Sequence, residues 1–158
     1  MTPSLSRLVR FGLCAVPLAF LAGAGASLMA LGDDVVFTDV VAQSKEFMGY
    51  EQSIRLTPQQ EAIKKAALEQ LPAPCCSDNT AYTCCCPCNL SRTVWGLANY
   101  LIVEKGMDAE GVKAKAAEWF EFVNPEGFSG DVCYSAGGCS RAFAKNGCGG
   151  MNPARVTF

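Results

Sequence analysis

The stretch that decides the fold is Asn89-Leu90-Ser91-Arg92-Thr93-Val94-Trp95-Gly96-Leu97-Ala98-Asn99-Tyr100-Leu101-Ile102-Val103, followed by Glu104-Lys105-Gly106-Met107-Asp108. Val94, Leu97, Ala98, Leu101 and Ile102 recur at the helical spacing that turns one face toward a core, with Trp95 and Tyr100 at its margin. Asn89 or Ser91 can cap this helix, and Lys105-Gly106 closes it with a cation and a glycine suited to a left-handed turn. Asp108 then caps a second helix whose Val112, Ala116, Phe120 and Val123 share a face and which Asn124-Pro125 ends. Two helices joined by so short a turn form an antiparallel hairpin.

Working outward, Thr57-Pro58-Gln59-Gln60 carries a capping box with proline at the first helical position. The helix it opens should run to Leu71, burying Ile63, Ala67 and Leu71 and pairing Glu61 with Lys65, before Pro72 and Pro74 stop it. Residues 33–54 place Val36, Phe37, Val40, Val41, Phe47 and Met48 at a spacing that suits a helix better than a strand, with Gly49 as its expected end. From 126 onward glycines are dense among Cys133, Cys139 and Cys148. Such a segment buries little apolar surface and needs staples or a metal to be ordered, with Phe128, Tyr134 and Phe143 available to pin it to the helices. No strand pattern stands out. The expected fold is mostly α: a small helical domain with a central antiparallel helix hairpin and an irregular Cys/Gly-rich cap.

The N-terminus bears on compartment. Arg7 and Arg10 precede an uncharged run over 11–31, and Ala24-Gly25-Ala26 fits a small-x-small cleavage pattern. The reading is a secretory signal over 1–26, with an uncleaved membrane anchor extending to about 31 as its alternative because the run is long enough to span. Cys14 is preceded by Phe11-Gly12-Leu13, which does not suit a lipoprotein signal. The remaining 33–158 is one domain's worth of chain, placed outside the cytoplasm, in a periplasmic or similar extracytoplasmic setting. A net charge of −2 without a basic stripe argues against nucleic acid, and the membrane enters only through the N-terminal segment.

Between the second expected helix and the hairpin lie Cys75, Cys76, Cys84, Cys85, Cys86 and Cys88, six thiols within fourteen positions of a chain that has no histidine. Three uses are open. Soft thiolates select Cu(I), Zn and iron–sulfur centres over hard cations, and six sulfurs exceed what one tetrahedral zinc requires, so Cu(I) stands ahead of Zn. The start of the following helix should favour anionic sulfur at Cys88 and Cys86. Alternatively, Cys85-Cys86-Pro87-Cys88 has the C-x-P-C form of a thiol–disulfide oxidoreductase, with Cys85 and Cys88 as the redox pair. No parallel sheet can be drawn around it, so a thioredoxin fold is not expected. The third use is a disulfide-stapled structural or interaction domain. Removal of 1–26 would leave nine cysteines, an odd number, and neighbouring cysteines pair only under strain. Cys133, Cys139 and Cys148 read as structural or disulfide residues. A soft metal ion is therefore the expected partner, with an exported metalloprotein or a thiol protein as its recipient.

Two resemblances fall on residues 71–123. Leu71-Pro72-Ala73-Pro74-Cys75-Cys76 with Cys84-Cys85-Cys86-Pro87-Cys88 resembles exported bacterial proteins with a PCYCGC motif, which implies metal handling at the cell surface. The layout of a C-x-x-C, a helix, a Gly turn and a second helix resembles the small helical thiol reductase of cytochrome c maturation, which implies reduction of a partner's thiols by Cys85 and Cys88.

Overall fold

A computed structural model describes residues 34–74, 76–84, 86–128 and 141–158. The chain divides into Met1–Leu31 and Gly32–Phe158, and all described residues lie in the second unit. That unit is mostly helical: α1 (Val40–Ser53), α2 (Pro58–Leu68), a two-stranded antiparallel hairpin of β1 (Pro72–Ala73) and β2 (Cys76–Thr80), then α3 (Asn89–Val103), α4 (Ala109–Val123) and a 3-10 turn, η1 (Phe143–Lys145). The signal or anchor expected over 1–31 lies outside the described residues. Among the described residues no helix is long and apolar enough to cross a membrane.

The helices α3 and α4 form the expected hairpin. Asp108 accepts a hydrogen bond from Gly111 N to open α4, and Gly106 takes φ +64° in the turn. Trp119 of α4 is fully buried and its indole N–H donates to Thr93 Oγ1 on α3 at 2.9 Å, which fixes the antiparallel register. The apolar stripe of α3 is buried as its spacing requires, but so is most of its opposite side. Asn89, Ser91, Thr93 and Asn99 are all buried, because other elements wrap the helix.

One of those elements is α1, and it corrects the expected boundaries. Asp39 caps it, accepting from Ala42 N at 2.9 Å, and the helix passes through Gly49 to Ser53. Glycine costs a helix interior about 1 kcal/mol. Here tertiary contact offsets that cost: α1 crosses α3 so closely that a Cβ on Gly96 would collide with the carbonyl of Phe47. Arg92 pairs with Glu51 at 3.0 Å across the same contact, and Asn99 donates to Ile54 O just beyond the end of α1.

In α2 the capping box of Thr57 and Gln60 is present as expected. The helix ends at Leu68, and Gln70 and Leu71 leave it through tighter turns onto Ala67 O and Leu68 O. Ala67 and Leu68 are buried, while Ile63 and Leu71 pack at the core's edge. The expected Glu61–Lys65 pair is replaced: Glu61 accepts from Tyr82 Oη at 3.0 Å, and Lys65 faces Glu69 at 3.8 Å. The β1–β2 hairpin was not legible in the sequence. Pro72 opposes Thr80 and Ala73 opposes Cys76, a pairing too short and irregular to leave an alternating pattern.

The described residues 141–158 are irregular apart from η1, as their composition implies, and they fold back on themselves. Phe143 N bonds Thr157 O, Thr157 N bonds Gly149 O, and Gly149 N bonds Arg141 O. Phe143 is buried in the common core and Phe128 meets Phe120 edge-on, so both act as the pins expected; Tyr134 lies outside the described residues.

Candidate functional site: the cysteine loop at the start of α3

Of the six clustered cysteines, Cys76, Cys84, Cys86 and Cys88 are described, and Cys75 and Cys85 lie outside the described residues. Cys76 opens β2, where its sulfur accepts from Asn79 Nδ2 at 3.1 Å. Cys84 and Cys86 are half-buried on the loop that leads into α3. Cys88 is the N-cap of α3 and is 0 % exposed. No disulfide joins two of the described cysteines, and among the described residues no three Cys, Asp or Glu side chains converge as a metal site.

The loop is organised around one carbonyl. Cys88 N donates to Cys86 O at 2.7 Å, closing a three-residue turn over Pro87. Ser91 Oγ lies 2.9 Å from both Cys86 O and Cys88 O, and Cys84 Sγ lies 3.7 Å from Cys86 O. Cys88 Sγ is 3.6 Å from Ser91 Oγ. The hydroxyl one turn into α3 therefore ties together the backbone of the last two loop cysteines. Ser91 is not the helix cap, one of the two positions expected for it; its side chain faces back into the loop.

Asn89 is not the cap either. Its side-chain N–H groups reach the carbonyls of Gly149 at 2.7 Å, Asn152 at 3.1 Å and Arg155 at 3.0 Å, while Asn89 N and Leu90 N donate to Gly150 O and Cys148 O. A remote segment thus supplies the acceptors that a local side chain usually provides at a helix start. The expectation that this helix start favours anionic sulfur loses part of its basis, since two of its amides face carbonyl oxygens. Gly149 holds φ +72°, and a Cβ there would come within 2.5 Å of the Phe143 ring, so the clamp depends on glycine at that position.

Cys148 is 0 % exposed and belongs to the same core as Cys88. Cys133 and Cys139 lie outside the described residues. Cys84 and Cys88 also share a small cavity with Ser91, Ala81, Val94 and Phe120, whose volume of ≈ 10 Å³ has room for about one water-sized atom. Phe120 and Pro74 also line an open apolar groove of ≈ 430 Å³ with Leu71, Ala73, Ala117 and Phe128.

The fold and this loop define a mostly helical, cysteine-rich domain. No protein-family model matches the chain, and no curated protein or solved structure is significantly similar to it.

Proposed function

We propose that this is an exported protein that binds a soft metal ion, Cu(I) ahead of Zn, through the thiolates of the cysteine loop and passes it to a recipient outside the cytoplasm. The observation that carries the reading is the placement of Cys84 and Cys86. Both residues are half-buried, on a loop whose end is fixed by Cys88 and Ser91. Cys75, Cys76, Cys85 and Cys88 complete the candidate ligand set, and the absence of histidine from the chain makes that set wholly sulfur. Resemblance of 71–88 to exported PCYCGC-motif proteins and the signal-like 1–26 support an extracytoplasmic role.

A second reading, thiol–disulfide exchange by Cys85 and Cys88, draws support from the C-x-x-C that ends at Cys88, the N-cap of α3, because a helix start favours thiolate. One experiment separates the two. The full chain is reduced under anaerobic conditions, its thiols are counted by alkylation and mass spectrometry, and bound metal is measured after exposure to Cu(I) and Zn(II). Metal handling predicts tight Cu(I) uptake that blocks alkylation of the loop thiols. No metal uptake together with one readily reduced Cys85–Cys88 bridge would establish the exchange reading instead, and a chain that resists mild reduction throughout would leave a disulfide-stapled scaffold.

A further inference from the structure

Where α1 packs against α3, we propose a site of covalent modification: the stacked rings of Tyr50 and Tyr100 join through a carbon–carbon bond, as dityrosine, under a one-electron oxidant of the peroxidase–peroxide class. Tyr50 belongs to α1 and Tyr100 to α3, and their ring centroids stand 4.7 Å apart with planes 9° from parallel. The inference is independent of the metal reading and uses none of the cysteines.

Stacking of this kind suits the reaction. Two phenoxyl radicals bond through their π faces, and parallel rings turn those faces toward each other. Both tyrosines are half-buried and line two surface cavities, one of ≈ 400 Å³ shared with Glu104 and one of ≈ 160 Å³ shared with Glu46 and Asp34; Lys105 lines both. An oxidant in solvent can therefore draw electrons from either ring.

The charged groups around the pair give the reaction an order. Tyr50 Oη donates to Glu46 Oε1 at 2.6 Å, so the phenol can pass its proton to the carboxylate as it loses an electron. Lys105 Nζ lies 5.8 Å from the Tyr100 ring centroid, and a cation there opposes removal of an electron. Tyr50 is oxidised first. Tyr100 follows, giving its proton to solvent. The radicals join at ring carbons ortho to the hydroxyls, and the hydrogen on each of those carbons shifts to oxygen to restore the phenol. In sum, two hydrogens leave the protein and one hydrogen peroxide becomes two waters. Tyr82 is an internal control: its hydroxyl also meets a carboxylate, Glu61 at 3.0 Å, but no second tyrosine ring stacks on it among the described residues.

The test uses the full chain at high dilution, its accessible thiols blocked with iodoacetamide so that they do not intercept radicals. It is treated with a haem peroxidase and hydrogen peroxide, then read by dityrosine fluorescence and by mass spectrometry of the monomer. A Tyr50–Tyr100 peptide pair lighter by two hydrogens is expected. Tyr50→Phe and Tyr100→Phe should each abolish the monomer's dityrosine, and Tyr82→Phe should leave it unchanged. Glu46→Gln, which removes the positioned proton acceptor, should slow coupling about 10-fold near neutral pH, a modest loss because water reaches the half-buried phenol. That deficit should close above about pH 10, where a phenol ionises unaided. Circular dichroism reports whether each variant folds, and mass spectrometry of the unaltered chain stands without them. An unchanged rate in Glu46→Gln would overturn the role given to Glu46. Coupling only between chains, coupling confined to Tyr82 or Tyr134, or oxidation of N-acetyltyrosine in the same tube without a Tyr50–Tyr100 bond would overturn the site.

Discussion

The starts of α2 and α3 solve the same problem by opposite means. Each helix begins with backbone N–H groups that have no partner inside the helix. At α2, Thr57 Oγ1 accepts from Gln60 N at 3.3 Å and Gln60 Oε1 accepts from Thr57 N at 2.9 Å, so four consecutive residues complete the cap. At α3, Cys88 makes no side-chain cap bond, and the acceptors for Asn89 N and Leu90 N are carbonyls of Gly150 and Cys148. A local cap serves only its helix. A remote one joins two parts of the chain, and here it joins the C-terminal segment to the cysteine loop. The stability of that loop is therefore set partly by residues some sixty positions away, from Asn89 to Gly149 through Arg155.

Substitutions should separate the two strategies by size and reach. The largest effect is expected where α3 meets α1: Gly96→Ala drives a methyl into the Phe47 carbonyl and should destabilise the protein by about 3 kcal/mol or more. Urea unfolding measures it, and a near-neutral result would mean that the helices do not approach so closely. Next is Asn89→Ala, which removes the donor serving three tail carbonyls and should cost about 2 kcal/mol, offset slightly by loss of the buried, unpartnered Asn89 Oδ1. Hydrogen exchange should then rise at Leu90 and at Thr157 but not in α2. Equal loss of protection across α2 would erase the distinction between remote and local caps. Thr57→Ala should cost about 1 kcal/mol, with faster exchange confined to the first turn of α2.

The smallest effect belongs to a tie made inside one helix. Tyr50 donates to Glu46 at 2.6 Å, and that bond, followed by burial, pushes its phenol up to about 12 from 10.0. A proton held more tightly in the folded than in the unfolded chain contributes stability that is complete below pH 10 and is lost as pH rises toward 12. Alkaline titration followed by tyrosinate absorbance should show a late-ionising tyrosine that Tyr50→Phe removes. Because the tie is local, Asn89→Ala should leave it unmoved; a shift there would show that the clamp acts on α1 as well.

The difference between the two caps also explains what could be read in advance. Thr57, Pro58 and Gln60 declared α2, and Asp108 with Gly106 declared the start of α4 and the turn before it, because each signal and its consequence lie within a few residues. The apolar spacing of α3 likewise announced a buried face. Gly49 misled: glycine weakens a helix locally, but the crossing of α1 over α3 at Gly96 holds the helix through it. Glu61 found Tyr82 rather than Lys65 because the β1–β2 hairpin brings that hydroxyl alongside, and so short a hairpin leaves no periodic trace. In the cysteine loop, clustering and the C-x-x-C were visible at once. The roles of Asn89 and Ser91 were not, since both look like ordinary caps until their side chains are seen to face the tail and the loop.

The sequence by itself determined a helical, cysteine-rich domain: periodic apolar residues, a capping box and proline stops act over short range, and ten cysteines without histidine define which donors are available. Only the tertiary structure decided how those cysteines differ. It put Cys88 and Cys148 out of solvent in one core, left Cys84 and Cys86 half-buried, and brought Cys84 to the same cavity as Cys88. Burial and the remote capping of α3 depend on which distant segments fold over the loop, and nothing in the order of neighbouring residues states that.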